Sequence, residues 1–163
     1  MGKPRILWVE DSARFELANL LGPIYACNKY ELMLAEDATA AQRYLDSVSF
    51  DAVIMDIRIP PGRDRQWAKK YERAGSDKAS AQLGLAILFW LFQGNGKPRP
   101  DWVRPEKFAV FSVEEKYEIG PSLRELGIFV FEEKRPGLRD TVLLELIEKV
   151  LRNGHGNGHI QGK

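Results

Sequence analysis

Apolar residues fall into two kinds of run along the chain. Residues 5–9, 52–57, 108–113 and 128–131 are short and almost continuously apolar, with β-branched or aromatic members. Such runs suit strands covered on both faces. Residues 30–35 read as one more strand. Helical spacing fills the gaps. Phe15, Leu17, Ala18, Leu20 and Leu21 follow Ser12, a residue able to cap a helix, and Gly22-Pro23 is expected to stop it. Asp37 or Thr39 caps a helix carrying Ala40, Ala41, Tyr44 and Leu45. A short helix is expected over 121–126, and an amphipathic one over 141–151, with Val142, Leu143, Leu146, Ile147 and Val150 on one side. Strand, helix, strand at this spacing implies parallel pairing through right-handed crossovers, so the class is α/β with five strands.

The rhythm stretches between the third and fourth strands. Residues 60–107 are longer than one crossover needs; they hold expected helices at about 64–73 and 78–93, then a Gly/Pro-rich link over 94–105. The run Ala86-Ile87-Leu88-Phe89-Trp90-Leu91-Phe92 is too apolar to stay wet, so it is either buried or an interface, with a homodimer through the insertion as the second expectation. Trp67, Trp90 and Trp102 lie in the same stretch, where they fill the core of an enlarged subdomain or face a partner. The expected organisation is one domain over 1–152, with an insertion at about 61–107 and a Gly/His/Asn-rich, unstructured tail over 153–163.

Composition narrows the functional classes. The 24 basic and 23 acidic side chains nearly cancel, so no overall field favours DNA or an anionic membrane. Cys27 is alone and makes no internal disulfide; the start Met1-Gly2-Lys3-Pro4-Arg5 is unlike a signal peptide, and a cytoplasmic compartment is expected. The apolar run over 83–92 is well short of the roughly 20 residues a membrane helix needs.

In a parallel α/β sheet, ligands bind at the carboxyl ends of the strands, where strand order reverses. That rule selects Glu10 and Asp11 after the first strand, Asp56 after the third, Ser112 after the fourth and Lys134 beyond the fifth. Carboxylates this close repel by about 4 kcal/mol per pair at about 4 Å for an effective dielectric near 20, so their pKa values rise or a cation sits among them. An all-oxygen set favours Mg²⁺. Such a cation lets a carboxylate oxygen attack phosphorus, with Ser112 and Lys134 placed to bind the remaining phosphoryl oxygens.

The motifs Ile6-Leu7-Trp8-Val9-Glu10-Asp11-Ser12, Val53-Ile54-Met55-Asp56-Ile57-Arg58-Ile59-Pro60 and Phe108-Ala109-Val110-Phe111-Ser112 resemble the first, third and fourth strand motifs of response-regulator receiver domains. The resemblance implies a flavodoxin-like sheet of order 2-1-3-4-5. It further implies Mg²⁺ bound by Asp11, Asp56 and the backbone carbonyl of Arg58, with Glu10 helping through water. Asp56 would be the phosphoacceptor for a sensor histidine kinase or phosphotransfer protein. Output would pass to a downstream protein by contact, without enzymatic turnover beyond self-catalysed phosphorylation and dephosphorylation.

Several positions depart from that pattern. The glycine expected eight places after the acceptor is Asp64, with Gly62 earlier; Val113 follows Ser112 where a very small residue is usual; and one residue separates Lys134 from Pro136, so Arg135 competes for the cationic role. Phe129 or Phe131 falls at the aromatic switch position and is otherwise sheet core. These departures motivate an alternative, a receiver-like docking module that is not phosphorylated. A phosphohydrolase of the haloacid-dehalogenase type would want an aspartate where Arg58 stands. Gly94-Asn95-Gly96-Lys97 lacks the remainder of a phosphate loop, and His155 and His159 sit in a segment not expected to be helical, so neither is read as a site.

Overall fold

The computed structural model describes residues 2–161, with side chains through residue 154. Five strands, β1 (Arg5–Val9), β2 (Glu31–Ala35), β3 (Ala52–Met55), β4 (Phe108–Ser112) and β5 (Val130–Glu133), form one sheet of order β2-β1-β3-β4-β5. Every neighbouring pair is parallel, with Leu7 opposite both Met33 and Val53, and Val110 opposite both Met55 and Phe131. The continuous apolar runs follow from cover on both faces. Leu7, Val9, Val53, Met55, Phe108 and Val110 face one core; Ile6, Trp8, Ala52, Ile54, Ala109 and Phe111 face the other.

The second face is covered by α1 (Leu21–Cys27) and α6 (Val142–Gln161), the first by α2 (Ala38–Ser47), α3 (Arg65–Arg73), α4 (Leu83–Phe89) and α5 (Lys116–Leu126). Asp37 caps α2, accepting from the Ala40 amide at 2.7 Å, and Asp64 caps α3, accepting from the Gln66 amide at 2.8 Å. Thr39, the alternative cap, instead lies inside α2, where its hydroxyl donates to the Pro61 carbonyl and accepts from the Asp64 amide, both at 2.8 Å.

The first helix differs from expectation. Residues 11–17 form turns in which the Ser12 carbonyl accepts from the Phe15 and Leu17 amides, a short 3₁₀ turn spans Ala18–Leu20, and α1 begins at Leu21. Gly22-Pro23 therefore opens the helix; Pro23 sits in the first turn, where its missing N–H is no loss. Pro121 likewise fails to mark a start. It lies inside α5, where the burial of Ile119, Leu123 and Leu126 offsets one lost backbone bond. The fifth strand lies two residues later than expected, at Val130–Glu133, which leaves Phe129 outside the sheet and 75% exposed while Phe131 packs on the core. α6 runs past residue 152, where the tail was expected to start, through Gln161; a docked inner face nucleates the helix, and each further residue then adds one bond. His155 and His159 lie outside the residues whose side chains are described.

The insertion is built differently from a single helix over 78–93. A 3₁₀ turn, Lys78–Ala81, ends at Gln82 in the left-handed region (φ 45°), α4 follows, and a π-turn over Trp90–Gly94 closes it. The reversal at Gln82 seats Leu83, Ile87, Leu88 and Leu91 in the core shared with β1 and β3. α3 lies outside, anchored by Trp67, whose indole donates to Gln42 of α2 at 2.6 Å and meets Trp90 edge to face. Trp102 folds back to stack on Phe108 and meet Phe50, and Val103 is buried. The apolar run thus finds its cover within the chain. The large exposed hydrophobics, Phe15, Tyr25, Val113, Tyr117 and Phe129, all lie outside the insertion, so nothing there requires a second copy. Among the described residues, no helix is long and apolar enough to cross a membrane.

Candidate functional site

Strand order reverses between β1 and β3, and the carboxyl ends of these strands open into a cleft of about 400 Å³ lined by Glu10, Asp11, Asp56, Arg58, Val113 and Lys134, among others. Asp56 follows β3 directly and is 3% exposed; Glu10 follows β1 and is 1% exposed; Asp11 is exposed. Carboxylate oxygens of these three lie within 4.8 Å of one another. Lys134 reaches in from the end of β5, donating from Nζ to Asp56 Oδ2 at 2.9 Å and to Glu10 Oε1. Backbone amides complete the set, with Ile57 donating to Asp56 Oδ1 at 2.7 Å and Ser12 to Glu10 Oε2 at 3.2 Å.

Of Lys134 and Arg135, Lys134 is the one bonded to Asp56 and Glu10. Its amide donates to the Ser112 carbonyl at 2.7 Å, extending the β4–β5 ladder by one step and directing the side chain inward. Arg135 lines the rim of the cleft but is exposed, and its ion-pair partner is Glu132 at 3.9 Å. Among the described residues there is no cis peptide bond, so the approach to Pro136 is trans.

Burial dominates the electrostatics. It pushes the Glu10 carboxyl from its ordinary value of 4.5 to about 8, assisted by the Asp56 charge and opposed by Lys134. It also raises Asp56, against the pull of Lys134 and the Ile57 amide. Burial alone would lower Lys134, but Asp56 and Glu10 outweigh it and hold the ammonium above its usual value. Three carboxyl groups against one ammonium leave a site that holds protons or takes a further cation. The donors are all oxygens, which fits a hard divalent ion such as Mg²⁺.

Ser112 is fully buried and absent from the cleft wall, where the next residue, Val113, 46% exposed, stands instead. The Arg58 side chain turns sideways to Glu114, with Nε 2.6 Å from Oε1, and that contact holds the guanidinium pKa above its ordinary value. Glu114 is 3% exposed, and sequence reasoning passed over it. The one available signal was its place two residues beyond Ser112, matching the place of Arg58 two residues beyond Asp56. Gly84 was also passed over: its amide donates to the Ile57 carbonyl at 2.9 Å, which seats α4 on the backbone of the site.

No family model and no curated protein matches the sequence. Solved structures do. A signal receiver domain from Vibrio parahaemolyticus is similar with a TM-score of 0.63 and 18% identity over 99% of this chain and 100% of its own. A response regulator receiver domain protein from Methanospirillum hungatei JF-1 gives 0.60 and 17% over 95% and 99%. The chain has the response-regulator receiver fold. A response regulator from Thermotoga maritima shares that receiver fold at a TM-score of 0.57 and 15% identity, over 92% of this chain and 98% of its own. At these identities the likeness establishes the receiver architecture.

Proposed function

We propose that this chain is a phosphoacceptor receiver, in which Asp56 takes a phosphoryl group from a histidine kinase or phosphotransfer protein and the altered surface engages a downstream protein. The observation that carries this reading is the convergence of three carboxylates and Lys134 Nζ at the strand ends, with Asp56 buried at their centre. An Asp56 oxygen forms the new bond to phosphorus while the bond from phosphorus to the donor breaks, and the donor leaves with that electron pair. Asp11, Asp56 and the Arg58 carbonyl would hold Mg²⁺, with Glu10 acting through water; the ion supplies charge neutralisation for the approaching anion. Lys134, which bonds Asp56 and Glu10, would exchange its Asp56 bond for a phosphoryl oxygen while keeping Glu10.

The test is incubation with Mg²⁺ and acetyl phosphate, read by intact mass. Wild type should gain one phosphoryl mass and Asp56→Asn none. Equal labelling of both would move the chemistry to another residue; labelling of neither would favour an unphosphorylated docking module.

A further inference from the structure

Charge is shared unevenly along the chain. Residues 61–107 hold 10 basic and 5 acidic side chains, against 14 and 18 in the remainder. The excess gathers on and beside α3, where Arg63, Arg65, Lys69, Lys70 and Arg73 are all exposed and Glu72 is the only acid in the helix. Among the described residues none of these five cations makes an ion pair, whereas Arg5, Arg14, Arg135 and Arg139 each have a carboxylate partner.

Arg65, Lys69 and Arg73 recur at every fourth residue of α3. They therefore form one row with steps of about 6 Å, roughly opposite the buried Trp67. The row is unfavourable for the helix by itself, since like charges at i and i+4 repel and Arg65 is a cation at the first helical position, against the dipole. Trp67, with its bond to Gln42 and its edge-to-face contact with Trp90, holds α3 on the fold from the other side. The outer row has no part in that packing.

Three kinds of anionic partner differ in what else they ask of such a row. A nucleic acid would make three or four phosphate contacts here, and with Trp67 buried and Tyr71 half-buried no exposed aromatic offers a base a place to stack; salt removes binding of that kind. An anionic membrane asks for apolar side chains to insert, and the large exposed hydrophobics all lie off α3. An acidic helix repeats its carboxylates at i and i+4 with the same step of about 6 Å, and carboxylates accept arginine forks bidentately.

We propose that the outer face of α3, along Arg65, Lys69 and Arg73, docks an acidic helix of a partner protein. The surface belongs to the insertion and is independent of the chemistry at Asp56.

The test uses the whole chain and a fluorescent helical peptide of about 20 residues with Glu at every fourth position, read by anisotropy at about 50 mM salt. Wild type should bind it, and replacing Arg65, Lys69 and Arg73 together by Glu should weaken binding about tenfold or more, the joint effect of three exposed pairs. A peptide of the same composition with its Glu residues spread round the helix should bind less tightly. Arg43, Arg124 and Lys149 are exposed cations on α2, α5 and α6, and replacing them together by Glu changes the net charge equally but should leave the affinity within about twofold. A thermal melt checks each variant; should the Glu replacements at the row fail to fold, Gln at the same three positions should weaken binding in the same direction. No binding by wild type, binding insensitive to the row, or equal loss in the variant at positions 43, 124 and 149 overturns the proposal. Tighter binding of oligothymidylate or of phosphatidylserine vesicles, lost on the same replacement of the row, also overturns it and assigns the row to a nucleic acid or a membrane.

Discussion

A Cβ added to Gly84 would stand 1.8 Å from the carbonyl oxygen of Asp56. The inserted helix α4 therefore rests its backbone directly on the backbone of the acceptor, with the Gly84 amide bonded to Ile57. Since Asp56 and Ile57 present backbone atoms here, no flexible side chain can yield. Gly84→Ala should cost on the order of 3 kcal/mol or more, measured by urea denaturation. An unchanged midpoint would show that α4 can slide away from the strand end.

Lys134 and Arg135 are adjacent in sequence and should be far apart in consequence. Lys134→Met leaves Glu10 and Asp56 without their cation and should cost about 3–5 kcal/mol near pH 8 without divalent ions. Arg135→Ala removes an exposed side chain and should stay within about 0.5 kcal/mol. Equal losses in chemical denaturation would contradict the assignment of Lys134 to the site.

The raised Glu10 carboxyl sets a direction for pH dependence. A folded-state value of about 8 against an ordinary 4.5 means that the folded chain binds the extra proton between those values. Stability therefore falls as pH rises through that window, and the raised Asp56 acts in the same sense. Melting temperature in the presence of a chelator should decline from pH 5 to pH 9, and Mg²⁺ should flatten the decline by replacing the proton. A melting temperature that climbs over this range, with the Glu10→Gln variant behaving identically, would show that the cluster is not protonated.

The insertion should behave as core. Ile87 is fully buried, so Ile87→Ala should cost about 2–5 kcal/mol. Phe92 meets Phe108 edge to face at 5.1 Å and carries Arg99 over its ring at 5.2 Å. Phe92→Glu should lower the melting temperature without changing the sedimentation coefficient. A smaller sedimenting species with an unaltered melt would instead reveal an interface.

Much of this architecture is local information. Continuous apolar runs mark strands buried on both faces, Asp37 and Asp64 act as caps because a short side-chain oxygen reaches the first free amides, and the strand-end rule gathers Glu10, Asp11 and Asp56 without any coordinates. Other features needed the assembled sheet. Gly22-Pro23 reads equally as the end of one helix or the first turn of the next, and packing of Ile24 beneath α1 decides for the start. Whether Lys134 or Arg135 bonds to Asp56 depends on how far the β4–β5 ladder runs, because one residue of register reverses the side-chain direction. The roles of Gly84 and Glu114 come from partners 28 and 56 residues away. Periodicity reports which side of an element is apolar, whereas contacts between distant backbones and buried ion pairs exist only once the elements have been stacked.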